Sequence, residues 1–124
     1  MSTIIIHDLA AANLTLTKIN QDSYSGEYFK RVSNTEYRVK VRHFQEKVKI
    51  GQPAMNRHNV DLTVTTFASD GGPNVVRQAY FILRQPASET DASFTNVVKN
   101  LQYFITDANI ANLIGWETDI VGTS

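Results

Sequence analysis

Residues Thr35 to Lys49 read TEYRVKVRHFQEKVK, and their first half alternates Tyr37, Val39 and Val41 against Arg38, Lys40 and Arg42. A period of two marks an extended strand, whose successive side chains point to opposite faces. One face of this strand is therefore apolar, and the other carries three consecutive cations. Like charges in a row repel. Either solvent screens them as ordinary decoration of an antiparallel sheet, or an anionic partner offsets them. Binding of a polyanion is the functional expectation.

Working outward, the flanking segments read as further strands. Thr3 to Ile6 is β-branched and Leu14 to Ile19 alternates, so LAAAN between them makes residues 1–20 a predicted hairpin. Asn20 to Ser23 is turn chemistry, and Tyr24 to Val32 is strand-like with Gly26 as an expected bulge. Downstream, Ile50-Gly51-Gln52-Pro53 breaks the ladder. Arg57 to Phe67 then alternates Val60, Leu62 and Val64 with Asp61, Thr63 and Thr65. Ser69 to Asn74, SDGGPN, is the strongest turn signal in the chain. After it, Val75 to Gln85 sets Ala79, Phe81 and Leu83 in one row and Gln78, Tyr80, Ile82 and Arg84 in the other.

Past Pro86 the period changes. Phe94, Val97, Val98, Leu101, Phe104 and Ile105 recur at spacings of three and four, which predicts an amphipathic helix with Ser88, Thr90 or Asp91 as its N-cap. Asp107 is the expected cap of a shorter helix carrying Ile110, Leu113 and Ile114, with Gly115 as its stop. The order is strands through residues 24–86 after the hairpin, then two helices in 88–116, an α+β arrangement in one domain spanning 1–124.

The formal net charge is zero, yet it is unevenly placed. Eight basic residues stand against two acidic ones between Lys30 and Arg57, whereas from Gln85 onward one basic residue stands against five acidic ones. The neutral total thus hides a basic surface able to attract nucleic acid. The absence of cysteine excludes disulfides, thiolate metal sites and thiol nucleophiles. The amino terminus lacks a signal-peptide pattern and no run approaches roughly 18 apolar residues, so the expectation is a soluble protein that does not enter a membrane. His7, His43 and His58 are dispersed and lack ligand spacing, so no metal site is expected. None of the G-x-S-x-G, H-E-x-x-H or G-x-x-x-x-G-K signatures occurs, and no catalytic residue is assigned. A pocket on a curved sheet, as in a small-molecule-binding or enzymatic α+β domain, stays open as the alternative.

A meander with one apolar face poses a packing problem, because two helices cover only part of a wide sheet. Dimerisation solves it if each chain's helices reach over the partner's sheet and the sheets join edge to edge, which also hides an edge strand. The polar face then carries Arg38, Lys40 and Arg42 twice.

Several segments in this order, INQDSYSGEY, RVKVRH, RHNV, VRQAY and LIGWE, resemble the coat proteins of small single-stranded RNA bacteriophages, in particular that of a Caulobacter-infecting RNA phage. The resemblance runs from about Ile19 to Glu117. It implies an amino-terminal β-hairpin, a five-stranded antiparallel sheet and two carboxy-terminal helices interlocked with a dimer partner. It further implies an icosahedral capsid of about 180 copies, built in the bacterial host cytoplasm and lined by sheets that touch a single-stranded RNA genome. No cofactor is implied, and divalent cations at subunit contacts are not predicted. Carried over residue by residue, RNA contacts fall on Arg38, Lys40 and Arg42, and on Asn59, Thr63 and Thr65 of the next strand. Gln78, Tyr80 and Arg84 follow on the strand after that. Tyr80 is the candidate for stacking on a base, although alignment on Arg77 places Ala79 where relatives carry the tyrosine. Asp61 is a second departure, a carboxylate on a face meant for phosphates. The short loop at Ser69 to Asn74 implies wider pores at the shell's symmetry axes and greater dependence on RNA.

Overall fold

The computed structural model describes residues 3–89 and 92–117, and the chain divides into two compact units, Met1–Ala87 and Ser88–Ser124. The first unit is an antiparallel meander of β1 (Thr3–His7), β2 (Asn13–Gln21), β3 (Ser25–Val32), β4 (Thr35–Gln45), β5 (Met55–Thr66) and β6 (Val75–Pro86). The strands lie side by side in sequence order in one six-stranded sheet.

The hairpin and the sheet, expected as separate pieces, are continuous. β2 is long enough to pair twice: Asn13 to Thr17 face β1, and Thr17 to Gln21 face β3. Residues 24–86 accordingly supply four strands rather than five. The bulge expected at Gly26 lies instead on β2. Lys18 pairs Tyr28 and Asn20 pairs Glu27, leaving Ile19 as the extra residue, while Gly26 pairs regularly with Val41. Turn chemistry begins at Asp22 rather than Asn20: its Oδ1 accepts from the Tyr24 and Ser25 N–H groups, both at 2.8 Å. These bonds hold the Asp22 carboxyl below its ordinary range, with the Tyr24 N–H as the largest cause.

Alternation places the core. Leu16, Tyr28, Tyr37, Val39 and Val64 are buried together on one face, with Ile4, Ile6, Leu14, Val41, Val60 and Leu62 packed around them. Hairpin and central-strand residues share this cluster, so the sheet curls until its first two strands wall its own core. The Leu9 N–H donates to the Tyr37 hydroxyl at 3.3 Å, tying the hairpin loop to β4. Farther along the same face Val75 and Phe81 of the edge strand β6 remain exposed.

The second unit contains α1 (Ala92–Phe104) and α2 (Asp107–Ile114). Thr90 and Asp91, two of the expected caps of α1, lie outside the described residues, and Ser88 sits in the turn after β6, too early to cap. Thr106, not Asp107, is the N-cap of α2. Its backbone is extended and its Oγ1 accepts the Asn109 N–H, while Asp107 in the first turn favours the helix dipole. At the other end Gly115 is the C-cap, but Trp116 takes the left-handed position with φ of 63°. The Trp116 N–H reaches the Leu113 carbonyl and the Glu117 N–H that of Asn112, completing a Schellman closure. Val97, Leu101, Phe104 and Ile105 of the predicted apolar stripe are exposed, as is Trp116 at 92%.

Candidate nucleic-acid interface

Opposite the core, the sheet presents a polar face whose composition follows from register. Across β4, β5 and β6, cross-strand neighbours read Glu36–Thr65–Val76, Arg38–Thr63–Gln78 and Lys40–Asp61–Tyr80. Arg42–Asn59–Ile82 and Phe44–Arg57–Arg84 continue the series. Directly paired residues share a face, so Arg38, Lys40, Arg42, Asn59, Thr63, Thr65, Gln78, Tyr80 and Arg84 all fall on this side. Ala79 pairs with Leu62 and lies on the apolar side, so Tyr80 is the tyrosine that the polar face displays, 66% exposed.

The cations differ in how free they are. Arg38 is clamped by Glu27 and by Glu36, the latter at 3.2 Å, and stacks on Phe29 with 5.0 Å to the ring centre. Arg84 grips Glu46 with two bonds of 2.6 and 2.8 Å. That guanidinium holds the Glu46 carboxyl below the usual range against its desolvation, and the carboxylate in turn raises Arg84. Lys40 and Arg42 make no ion pair among the described residues. Both are exposed.

Asp61, a carboxylate on the polar face, accepts from the Thr63 hydroxyl at 3.0 Å and the Gln78 amide at 2.7 Å. It thereby fixes two neutral groups beside Tyr80. Asn59 contributes less openly, since its Oδ1 is buried without a hydrogen-bond partner among the described residues.

Sequence reasoning missed several residues of this face. Glu27 lay outside the basic stretch and joins it only through pairing with Lys40. Arg57 shares parity with Asn59 and Asp61, a signal that alternation alone would have given. His43 and His58, fifteen positions apart, are cross-strand neighbours on the other face, with Nδ1 atoms 2.8 Å apart and ring centres separated by 5.0 Å. No cluster of three or more His, Cys, Asp or Glu that could hold a metal occurs among the described residues. No described helix is long and apolar enough to cross a membrane.

Comparison with known proteins follows the same lines. The family model of the phage phiCb5 coat protein matches residues 1–86. Among solved structures, the bacteriophage EMS014 coat protein superposes with a TM-score of 0.65 at 22% identity, covering 98% of this chain and 81% of that one. The virus-like particle of bacteriophage ESE058 gives 0.65 at 17% identity, with 98% of both chains covered. An unassembled coat protein dimer, described as a bacteriophage RNA-binding dimer, gives 0.64 at 18% identity over 96% of this chain and 97% of that one. No match was found among curated protein sequences.

Proposed function

The chain belongs to the phage phiCb5 coat protein family, and from that premise we propose that it dimerises, assembles into an icosahedral shell and packs single-stranded RNA against the polar face of its sheet. Its place is the virion, and its role is structural rather than catalytic. The observation that carries the RNA-binding part is the convergence of nine polar and basic residues, from Arg38 to Arg84, on the side of the sheet away from the core.

The mechanism is mechanical and electrostatic. Cations of the sheet neutralise phosphates and release counterions, a term that does not depend on sequence. Many dimers gathered on one RNA reach a high local concentration, which drives closure of the shell. Tyr80 offers a face for a base, and the Asp61-oriented Thr63 and Gln78 lie in the adjacent row. The exposed apolar residues of β6 in the first unit, and those of α1 and α2 in the second, are each surfaces that a second copy covers. We assign no cofactor to this function.

Electron microscopy of purified protein, together with the absorbance ratio at 260 and 280 nm, tests the proposal. Closed particles or dimers carrying host RNA are expected. Small, nucleic-acid-free species at every salt concentration would refute it and return the pocket-domain alternative.

A further inference from the structure

We propose that phosphodiester groups seat in the hollow beside the β2 bulge, held by Lys40, Arg42 and Asn20, and that Arg38 is a positioning clamp and not a phosphate contact. This rests on the RNA-binding reading above and narrows it.

The hollow measures about 170 Å³ and is lined by Asn20, Ser25, Gly26, Glu27, Lys40 and Arg42. Its chemistry is a product of the bulge. In uninterrupted register Ile19 would stand opposite Glu27, but the extra residue brings Asn20 there instead. An apolar side chain is thereby replaced by an amide on the polar face. Lys40 pairs with Glu27 and Arg42 with Ser25 across β3, so the two cations approach the same hollow from β4 while Asn20 approaches from β2.

Charge decides what enters. The one carboxylate in the lining, Glu27, is held by Arg38. Asp61, opposite Lys40, is occupied by Thr63 and Gln78, and the Ser25 hydroxyl is engaged by Asp22. Lys40, Arg42 and the Asn20 amide are left as donors. Their fit is a small anion: no aromatic side chain lines the hollow to stack a base. Arg38, with Glu27 and Glu36 on its guanidinium and Phe29 beneath it, has its charge cancelled where it lies. Its role is to quench Glu27, which would otherwise repel the phosphate.

The full-length chain, prepared as RNA-free dimer, is titrated with oligouridylate over a series of salt concentrations, and separately with inorganic phosphate. Lys40→Gln and Arg42→Gln should each flatten the log–log salt dependence by about 0.7 per lost contact. Arg42→Lys keeps the charge and should keep the slope. Asn20→Ala should weaken binding with the slope unchanged. Arg38→Gln combined with Glu27→Gln and Glu36→Gln removes the whole clamp without freeing a carboxylate, and should leave the slope as in wild type. Inorganic phosphate that competes poorly with oligouridylate identifies the polymer's diester as the ligand, whereas equal competition per phosphate overturns the assignment to RNA. Salt-dependent wild-type binding that survives Lys40→Gln and Arg42→Gln, or a triple variant that loses as much as either, overturns the seat while sparing RNA binding. Wild-type dimers with no salt-dependent binding overturn both.

Discussion

Replacing Leu16 with alanine asks whether the amino-terminal hairpin is a wall of the core or an appendage. Leu16 is fully buried, at 0% exposure, among Tyr28, Tyr37, Val39 and Val64. The substitution removes three methyl-sized groups, worth about 2.4 kcal/mol at ~0.8 each. A cavity term adds to this, because Tyr28, Tyr37, Val39 and Val64 wall the site from three other strands and close in on it only partly, giving a total of about 3–5 kcal/mol per chain. Urea unfolding of RNA-free protein measures the loss, at one fixed concentration because the apparent stability of the proposed dimer varies with concentration. Ile5→Ala is the control, since Ile5 sits one register position away on the opposite face, 67% exposed. Its cost should stay within about 0.5 kcal/mol. A Leu16→Ala loss below about 1 kcal/mol, or equal losses for the two variants, would refute the curled-sheet core.

Further outcomes follow from single contacts. Tyr80→Ala should cost about 1–3 kcal/mol of RNA affinity per stacked base while Tyr80→Phe costs little; equal losses in a filter-binding assay would assign the hydroxyl, not the ring. Leu101 is half exposed in the single chain, so Leu101→Asp should spare helicity by circular dichroism yet prevent dimers, at several kcal/mol for burying an unpaired charge. Soluble dimers of that variant by size-exclusion chromatography would exclude α1 from the interface. Thr106→Ala removes the α2 cap and should cost about 1 kcal/mol in thermal unfolding. The Glu46 carboxyl is lowered by Arg84, so the pair's contribution is complete above the ordinary glutamate range and is lost as pH falls through the depressed folded value. In an NMR titration Arg84→Gln should move the Glu46 midpoint upward, and an unmoved midpoint would show that the pair does not form.

Much of the fold was legible because alternation and turn chemistry are local. Tyr37, Val39 and Val41 announced the buried side of β4 before any neighbour was known, and the change to a spacing of three and four past Pro86 announced the helices. Reading Asp107 as a cap failed by one position, since threonine and aspartate are both good caps and only backbone conformation distinguishes Thr106 as the extended residue. The bulge was misplaced for a related reason. Glycine permits irregularity, but Gly26 sits in regular pairing and the register between β2 and β3 shifts at Ile19.

The candidate site divides in the same way. Parity along each strand determined that Arg38, Lys40 and Arg42 share a side, as do Thr63 and Thr65, and Gln78, Tyr80 and Arg84. Register, which depends on how strands slide past one another, decided that these three rows form one surface and that Tyr80 rather than Ala79 belongs to it. Cross-strand partners also decided which charges are free. Glu27 and Glu46 reach Arg38 and Arg84 from eleven and thirty-eight positions away, distances over which a linear reading of charge carries no pairing information. The sequence by itself thus determined a basic, alternating strand on an α+β chain, because side-chain direction in a strand is a local property. Only the tertiary structure decided that two of its three cations, Lys40 and Arg42, form no ion pair among the described residues, because charge cancellation is settled by neighbours in space.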